Sequence, residues 1–225
     1  DVDDRIEILQ RYALNTLYFF TGGEFWVSSN GWTSASHPCG TNNDDAWFGI
    51  ECDASLKIVQ RITLDNNGLT AGLPSDISIL TGLTRFEVNG NQLGGLLTES
   101  LGTLTGLTVL DIGTNFFTGT LPDSIGNLKS LLLLDISSNF LSGNVAADVA
   151  QLTTLLGLSA QNNFFQGTLA SELFAITPLV SLAIGNNGFT GTIPSEIGQL
   201  TSAISLSLSS NSLSGTIPTE IGNLI

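Results

Sequence analysis

Along most of this chain, apolar and small polar residues alternate in short bursts that return at a fixed interval. "LTVLDI", "LVSLAI" and "AISLSL" are such bursts, and their period of two marks a short strand with one buried face. An asparagine follows each burst. Asn67, Asn91, Asn115, Asn139, Asn163, Asn187 and Asn211 lie 24 residues apart without a slip. So constant a period predicts a solenoid, in which strands stack in parallel about 4.8 Å apart. No single repeat buries its own apolar face, so stability comes from neighbours. The asparagine amide offers both donors and an acceptor, which suits it to backbone groups inside the turn. Gly and Pro then bend the chain and end the extended run. Closing segments such as "DSIGNL" and "SEIGQL" bring Ile and Leu into the core from the convex side.

Around each asparagine stands the pattern L-x-x-L-x-L-x-x-N-x-L-x-G-x-L/I-P. Its clearest copies are "LTVLDIGTNFFTGTLPDSIGNL", "LVSLAIGNNGFTGTIPSEIGQL" and "AISLSLSSNSLSGTIPTEIGNL". The pattern resembles the plant-type leucine-rich repeat. That resemblance implies an α/β solenoid: a right-handed superhelix with a parallel β-sheet on its concave face and a 3-10 or irregular convex side. Residues 58–225 accommodate seven such repeats. No capping helix follows "EIGNLI", so we expect the chain to continue past Ile225, or another molecule to cover that end.

Residues 1–57 fall outside the period and read as an N-terminal capping region. "DRIEILQRYALNTLYFF" places Ile6, Leu9, Ala13, Leu17 and Phe20 at helical spacing, and "TGG" stops the helix. All three tryptophans, Trp26, Trp32 and Trp47, follow in the segment that holds both cysteines. "WFGIEC" reads as an edge strand. Cys39 and Cys52 are two thiols in a reducing compartment and one disulfide in a secreted protein. We expect the bond, pinning the loop over the open end of the core and contributing about 3 kcal/mol; buried free thiols are the alternative. "LNTLYFFTGGEFW", "SNGW" and "WFGIEC" together resemble the amino-terminal cap of a group of leucine-rich-repeat proteins in algae, diatoms and bacteria. Those caps read L-x-x-L-Y-x-x-T-G-G-x-x-W, G-W and W-x-G-V-x-C, with Ile50 here in place of the usual Val. The resemblance implies a secreted protein or cell-surface ectodomain used for recognition, in an extracellular or lumenal setting, and names no ligand.

Charge narrows the partners. Only 12% of residues are charged, the net charge is −14, and every charge after Lys129 is negative. Such a surface does not neutralise phosphates, which argues against nucleic acid and against anionic membranes. The longest apolar runs, such as "SLLLLDI", are too short to span a bilayer. His37 is the one histidine, and its spacing from the cysteines fits no zinc pattern, so we read it as a surface loop residue. No nucleophile elbow, phosphate loop or zinc-protease motif occurs. We therefore expect no enzyme, no metal and no cofactor.

Two rows of residues remain as candidate contacts. The outward position between the strand leucines runs Thr63, Glu87, Asp111, Asp135, Ser159, Ala183, Ser207, with Arg61 and Arg85 in a neighbouring column. Three acids roughly 5 Å apart invite a cation or polar ligand and should raise at least one carboxyl pKa. An aspartate in "LDIS" is also ordinary repeat background. The later repeats are bland there. On the flank, the residue after each asparagine points outward, which sets Phe116, Phe140 and Phe164 in a row. Phe117, Leu141, Phe165 and Phe189 take the inward slot. The outward row is either a self-packed aromatic stack or a contact patch. The function expected from these features is non-catalytic recognition of a protein or polysaccharide ligand. One alternative is an architectural or adaptor subunit. A more distant one is ice binding, through Thr118 and Thr120, Thr190 and Thr192, and Ser214 and Thr216.

Overall fold

The L-x-L bursts lie side by side in one sheet. A computed structural model describes residues 2–40, 46–53, 57–145 and 149–224. Residues 41–45 and 54–56 of the expected cap lie outside the described residues. The concave strands are β1 (Ile50–Cys52), β2 (Val59–Thr63), β3 (Arg85–Glu87), β5 (Val109–Asp111), β7 (Leu133–Asp135), β9 (Gly157–Ser159), β11 (Ser181–Ala183) and β13 (Ser205–Ser207). From β2 onward they are parallel and pair residues 24 apart, such as Thr63 with Glu87 and Asp111 with Asp135. β1 joins the edge antiparallel to β2, as an edge strand should, with Glu51 opposite Arg61.

A second sheet, not foreseen in the sequence, covers one flank. It contains β4 (Gly94–Leu96), β6 (Phe116–Gly119), β8 (Phe140–Gly143), β10 (Phe164–Thr168), β12 (Gly188–Gly191) and β14 (Ser212–Leu213), all parallel. Here the paired residues are 22 apart: Gly94 with Phe116, Thr118 with Phe140, Ser142 with Phe164. The convex side is made of 3-10 turns at Ser75–Ile79, Glu99–Thr103, Asp123–Asn127, Ser195–Gln199 and Thr219–Asn223, with a short α-helix at Ser171–Phe174. Pro74, Pro122, Pro194 and Pro218 stand just before four of these turns, where a missing N–H costs nothing.

The asparagines join the repeats. Asn139 Oδ1 accepts Phe117 N at 3.0 Å, and its Nδ2 donates to Ile112 O at 3.0 Å and Ile136 O at 3.3 Å. Asn115, Asn163, Asn187 and Asn211 repeat this arrangement one period away each time. Asn67, in the first repeat, turns instead to the cap and exchanges bonds with Ser28 N and Ser28 O. The cap thus stands where a preceding repeat would. Between the two sheets and the convex turns, Phe117, Leu141, Phe165 and Phe189 are wholly buried, as their inward slot requires.

The helix α1 (Val2–Phe20) closes the first end with only part of the face expected. Ala13, Leu14 and Leu17 are buried, whereas Ile6, Leu9 and Phe20 are exposed. Gln10 decides the docking: its Nε2 donates to Lys57 O and its Oε1 accepts Val59 N at 2.7 Å, tying α1 to β2. Trp26, Trp32 and Trp47 are buried with Tyr18 in a chain of ring contacts 4.8–6.0 Å apart. Cys39 and Cys52 are disulfide-bonded. His37 is not a surface residue. Its side chain is 13% exposed, and its Nδ1 accepts Cys39 N at 3.0 Å beside the bridge.

Candidate functional site

The concave column forms in register, since β3, β5, β7 and β9 align Glu87, Asp111, Asp135 and Ser159 one strand apart. Its acids are not equivalent. Arg85 Nε and Nη2 donate to Glu87 Oε2 and Oε1 at 3.1 and 2.6 Å, and Thr63 Oγ1 adds a bond at 3.3 Å. The Arg85 hydrogen bonds hold the Glu87 carboxyl below its usual range, outweighing the opposing effect of burial. Asp111 goes the other way. Burial raises its pKa first of all, the nearby Asp135 and Asp65 carboxylates add to the rise, and bonds from Asn89 Nδ2 and Gly113 N restrain it. The rise expected from crowded carboxylates is therefore present, but dehydration is its main cause. Asp135 is engaged by Ser137 through both N and Oγ, at 2.9 and 2.6 Å.

Arg61 balances this column only in part, as the last of the influences that lower the Glu87 pKa. It pairs with Glu51 at 2.9 Å, because the antiparallel β1 sets Glu51 opposite it. Sequence reasoning also passed over three neighbours of the acids. Asp65 accepts Asn89 N at 2.7 Å, and Asn89 bonds Asp111, so these side chains link adjacent repeats. Leu133, 47% exposed, continues the Arg61–Arg85–Val109 column. Reading every outward column at the 24-residue period, not the acidic one alone, would have found all three.

The flank ladder is a real stack. Phe116 and Phe140 have ring centroids 6.0 Å apart at 22°, and Phe140 and Phe164 are 6.1 Å apart at 17°. Each ring is still about half exposed, at 51%, 46% and 62%. The rings therefore form the self-packed stack and still leave their edges to solvent. Beside the flank sheet, a depression of about 170 Å³ is lined by Thr120, Asp123, Ser142, Asn144 and Phe165 among others. Among the described residues, no group of His, Cys, Asp and Glu is arranged to hold a metal ion. No helix among them is long and apolar enough to cross a membrane.

The leucine rich repeat family profile matches residues 106–128, 178–200 and 202–224. The fold is a leucine-rich-repeat solenoid. The repeat solenoid is similar to the ectodomains of plant receptor kinases. A probable leucine-rich repeat receptor-like protein kinase of Arabidopsis thaliana is 33% identical over 98 residues, covering 39% of this chain and 10% of that protein. The plant peptide hormone receptor RGFR1, solved in complex with RGF2, is 34% identical with a TM-score of 0.71, over 72% of this chain and 26% of the other. The PEPR1–AtPEP1 structure aligns over 95% of this chain and 30% of its own, at 27% identity and a TM-score of 0.82. The chain thus spans about a tenth of that kinase and less than a third of either receptor structure.

Proposed function

We propose that this chain is a non-catalytic recognition module of an extracellular or cell-surface protein. In this reading residues 1–57 form the cap and residues 58–225 the recognising repeats. A protein or peptide partner lies along the concave columns around Arg85, Glu87, Asp111, Leu133 and Asp135. Those columns carry the reading: charged and apolar side chains are held in register by the sheet and partly exposed on one surface. The similar solenoid of RGFR1 belongs to a plant peptide hormone receptor and was solved in complex with RGF2, which supports a peptide partner here. The cysteine bridge suits an oxidising compartment. We place the cap with the algal, diatom and bacterial group on "TGGEFW", "SNGW" and "WFGIEC".

A polysaccharide is the weaker ligand class. Sugar rings bind aromatic faces, and the faces of Phe116, Phe140 and Phe164 are turned toward one another. Ice binding is weaker still, because the same rings interrupt the Thr and Ser positions of the flank. The test is capture of the native partner, followed by affinity measurement on an E87Q/D111N/D135N variant. At least a tenfold loss is expected, and unchanged affinity would remove the concave columns from the function.

A further inference from the structure

The flank ladder lies on a strongly acidic molecule, and its strands contain no Lys or Arg. On the convex side, Glu99 and Asp123 occupy the first turns of the 3-10 segments that follow the flank strands. Asp123 borders the flank sheet, since it lines one depression with Ser142, which lies two residues after Phe140 in β8. No Lys or Arg lies between residues 86 and 128 or after 129. Lys129 itself is turned to Gln151 O at 3.1 Å, and Arg85 is spent on Glu87. The result is an apolar strip with acid on its convex side.

The strip also has a period. Successive rings are 6.0 and 6.1 Å apart. In an α-helix, residues i and i+4 are separated along the axis by about 6 Å, at about 1.5 Å per residue. A helix laid along the solenoid axis thus brings side chains i, i+4 and i+8 into step with the three rings. One of its borders then faces the acidic convex side. We propose that the Phe116–Phe140–Phe164 ladder docks an amphipathic helix of a partner protein that carries Lys or Arg beside its apolar stripe. A second copy of this chain fits less well, because two surfaces of a molecule with net charge −14 repel. This rests on the recognition reading above and adds a second surface to it.

The test uses the intact chain and a fluorescent helical peptide of about 15 residues, with Leu at i, i+4 and i+8 and Lys beside that stripe. A shuffled peptide of the same composition is the control for general attraction to an acidic protein. The striped peptide is expected to bind about tenfold more tightly than the shuffled one, and more weakly as salt rises. The F116S/F140S/F164S variant should lose that advantage while keeping its circular dichroism spectrum. Should the triple variant not fold, F116E alone, at the end of the stack, must show the same loss. Equal binding of the two peptides, or an unchanged preference in the variants, overturns the proposal. So does a self-association that the Phe variants abolish, which assigns the ladder to a second copy. A native partner that tolerates the ladder variant but not the concave variant removes this inference and leaves the recognition reading standing. A partner indifferent to both removes the two together.

Discussion

Arg85 clasps Glu87 from two residues away on the same strand, and the pair uses both carboxylate oxygens. Because that clasp lowers the Glu87 pKa, its contribution to stability is present above the ordinary glutamate pKa and is lost as pH falls through the lowered one. R85A should move the Glu87 carboxyl upward, toward or past its ordinary value, in an NMR titration. The stability gap between R85A and the parent should be open at neutral pH and closed in strong acid. A Glu87 titration unmoved by R85A would show that the pairing does not set it.

Asp111 predicts the opposite limb. Its folded pKa is raised, so its ionisation works against folding above that pKa, and the penalty fades as pH falls toward the unfolded value. D111N keeps an acceptor for Asn89 Nδ2 and Gly113 N while removing the buried charge. We expect its Tm at pH 7 to exceed the parent's by about 2 °C, with the advantage shrinking in acid. A lower Tm at pH 7 would mean that the carboxylate's bonds outweigh its dehydration.

The asparagines should be costly to remove, in proportion to burial. N139A strands Phe117 N and deprives Ile112 O of a donor, in a site only 5% exposed. Denaturant unfolding should show a loss of about 3 kcal/mol. N211A makes the same deletion at a half-buried position that water reaches, and about 1 kcal/mol is expected there. Equal losses at the two sites would contradict this account.

The disulfide spans only 13 positions, yet it anchors the segment that carries every tryptophan. A C39A/C52A variant is expected to lose about 3 kcal/mol. Intrinsic tryptophan fluorescence reports the cap alone, so its transition should move to lower denaturant. If the fluorescence midpoint stays where it was, the bridge is not what holds the cap.

Much of this was legible in the chain, and the failures have specific causes. The 24-residue period located the concave strands, the asparagines and the inward phenylalanines, because one repeat step preserves all of those contacts. The flank sheet was missed because its strands contain a left-handed glycine, such as Gly119 at φ 78°, that reads as a turn. Its partners are also 22 residues apart, an interval that no sequence repeat displays. Helix α1 was only partly oriented because apolar residues line more than one of its faces. The periodicity alone did not separate Ala13 and Leu17, which are buried, from Ile6, Leu9 and Phe20, which are exposed; Gln10, with two backbone groups of β2 and its approach to satisfy, did. The partner of Arg61 depended on the antiparallel register of β1, a relationship made by the fold.

The asparagine bonds also have a direction. Asn139 completes the turn that contains Phe117, Asn163 the turn that contains Leu141, and Asn187 the turn that contains Phe165. Each turn is therefore closed by a residue 22 positions further on. On the ribosome, which delivers the chain from its N-terminus, a turn waits for most of another repeat to emerge before its amide finds an acceptor. The solenoid is latched from behind, one repeat late, and its newest repeat is always the one still open.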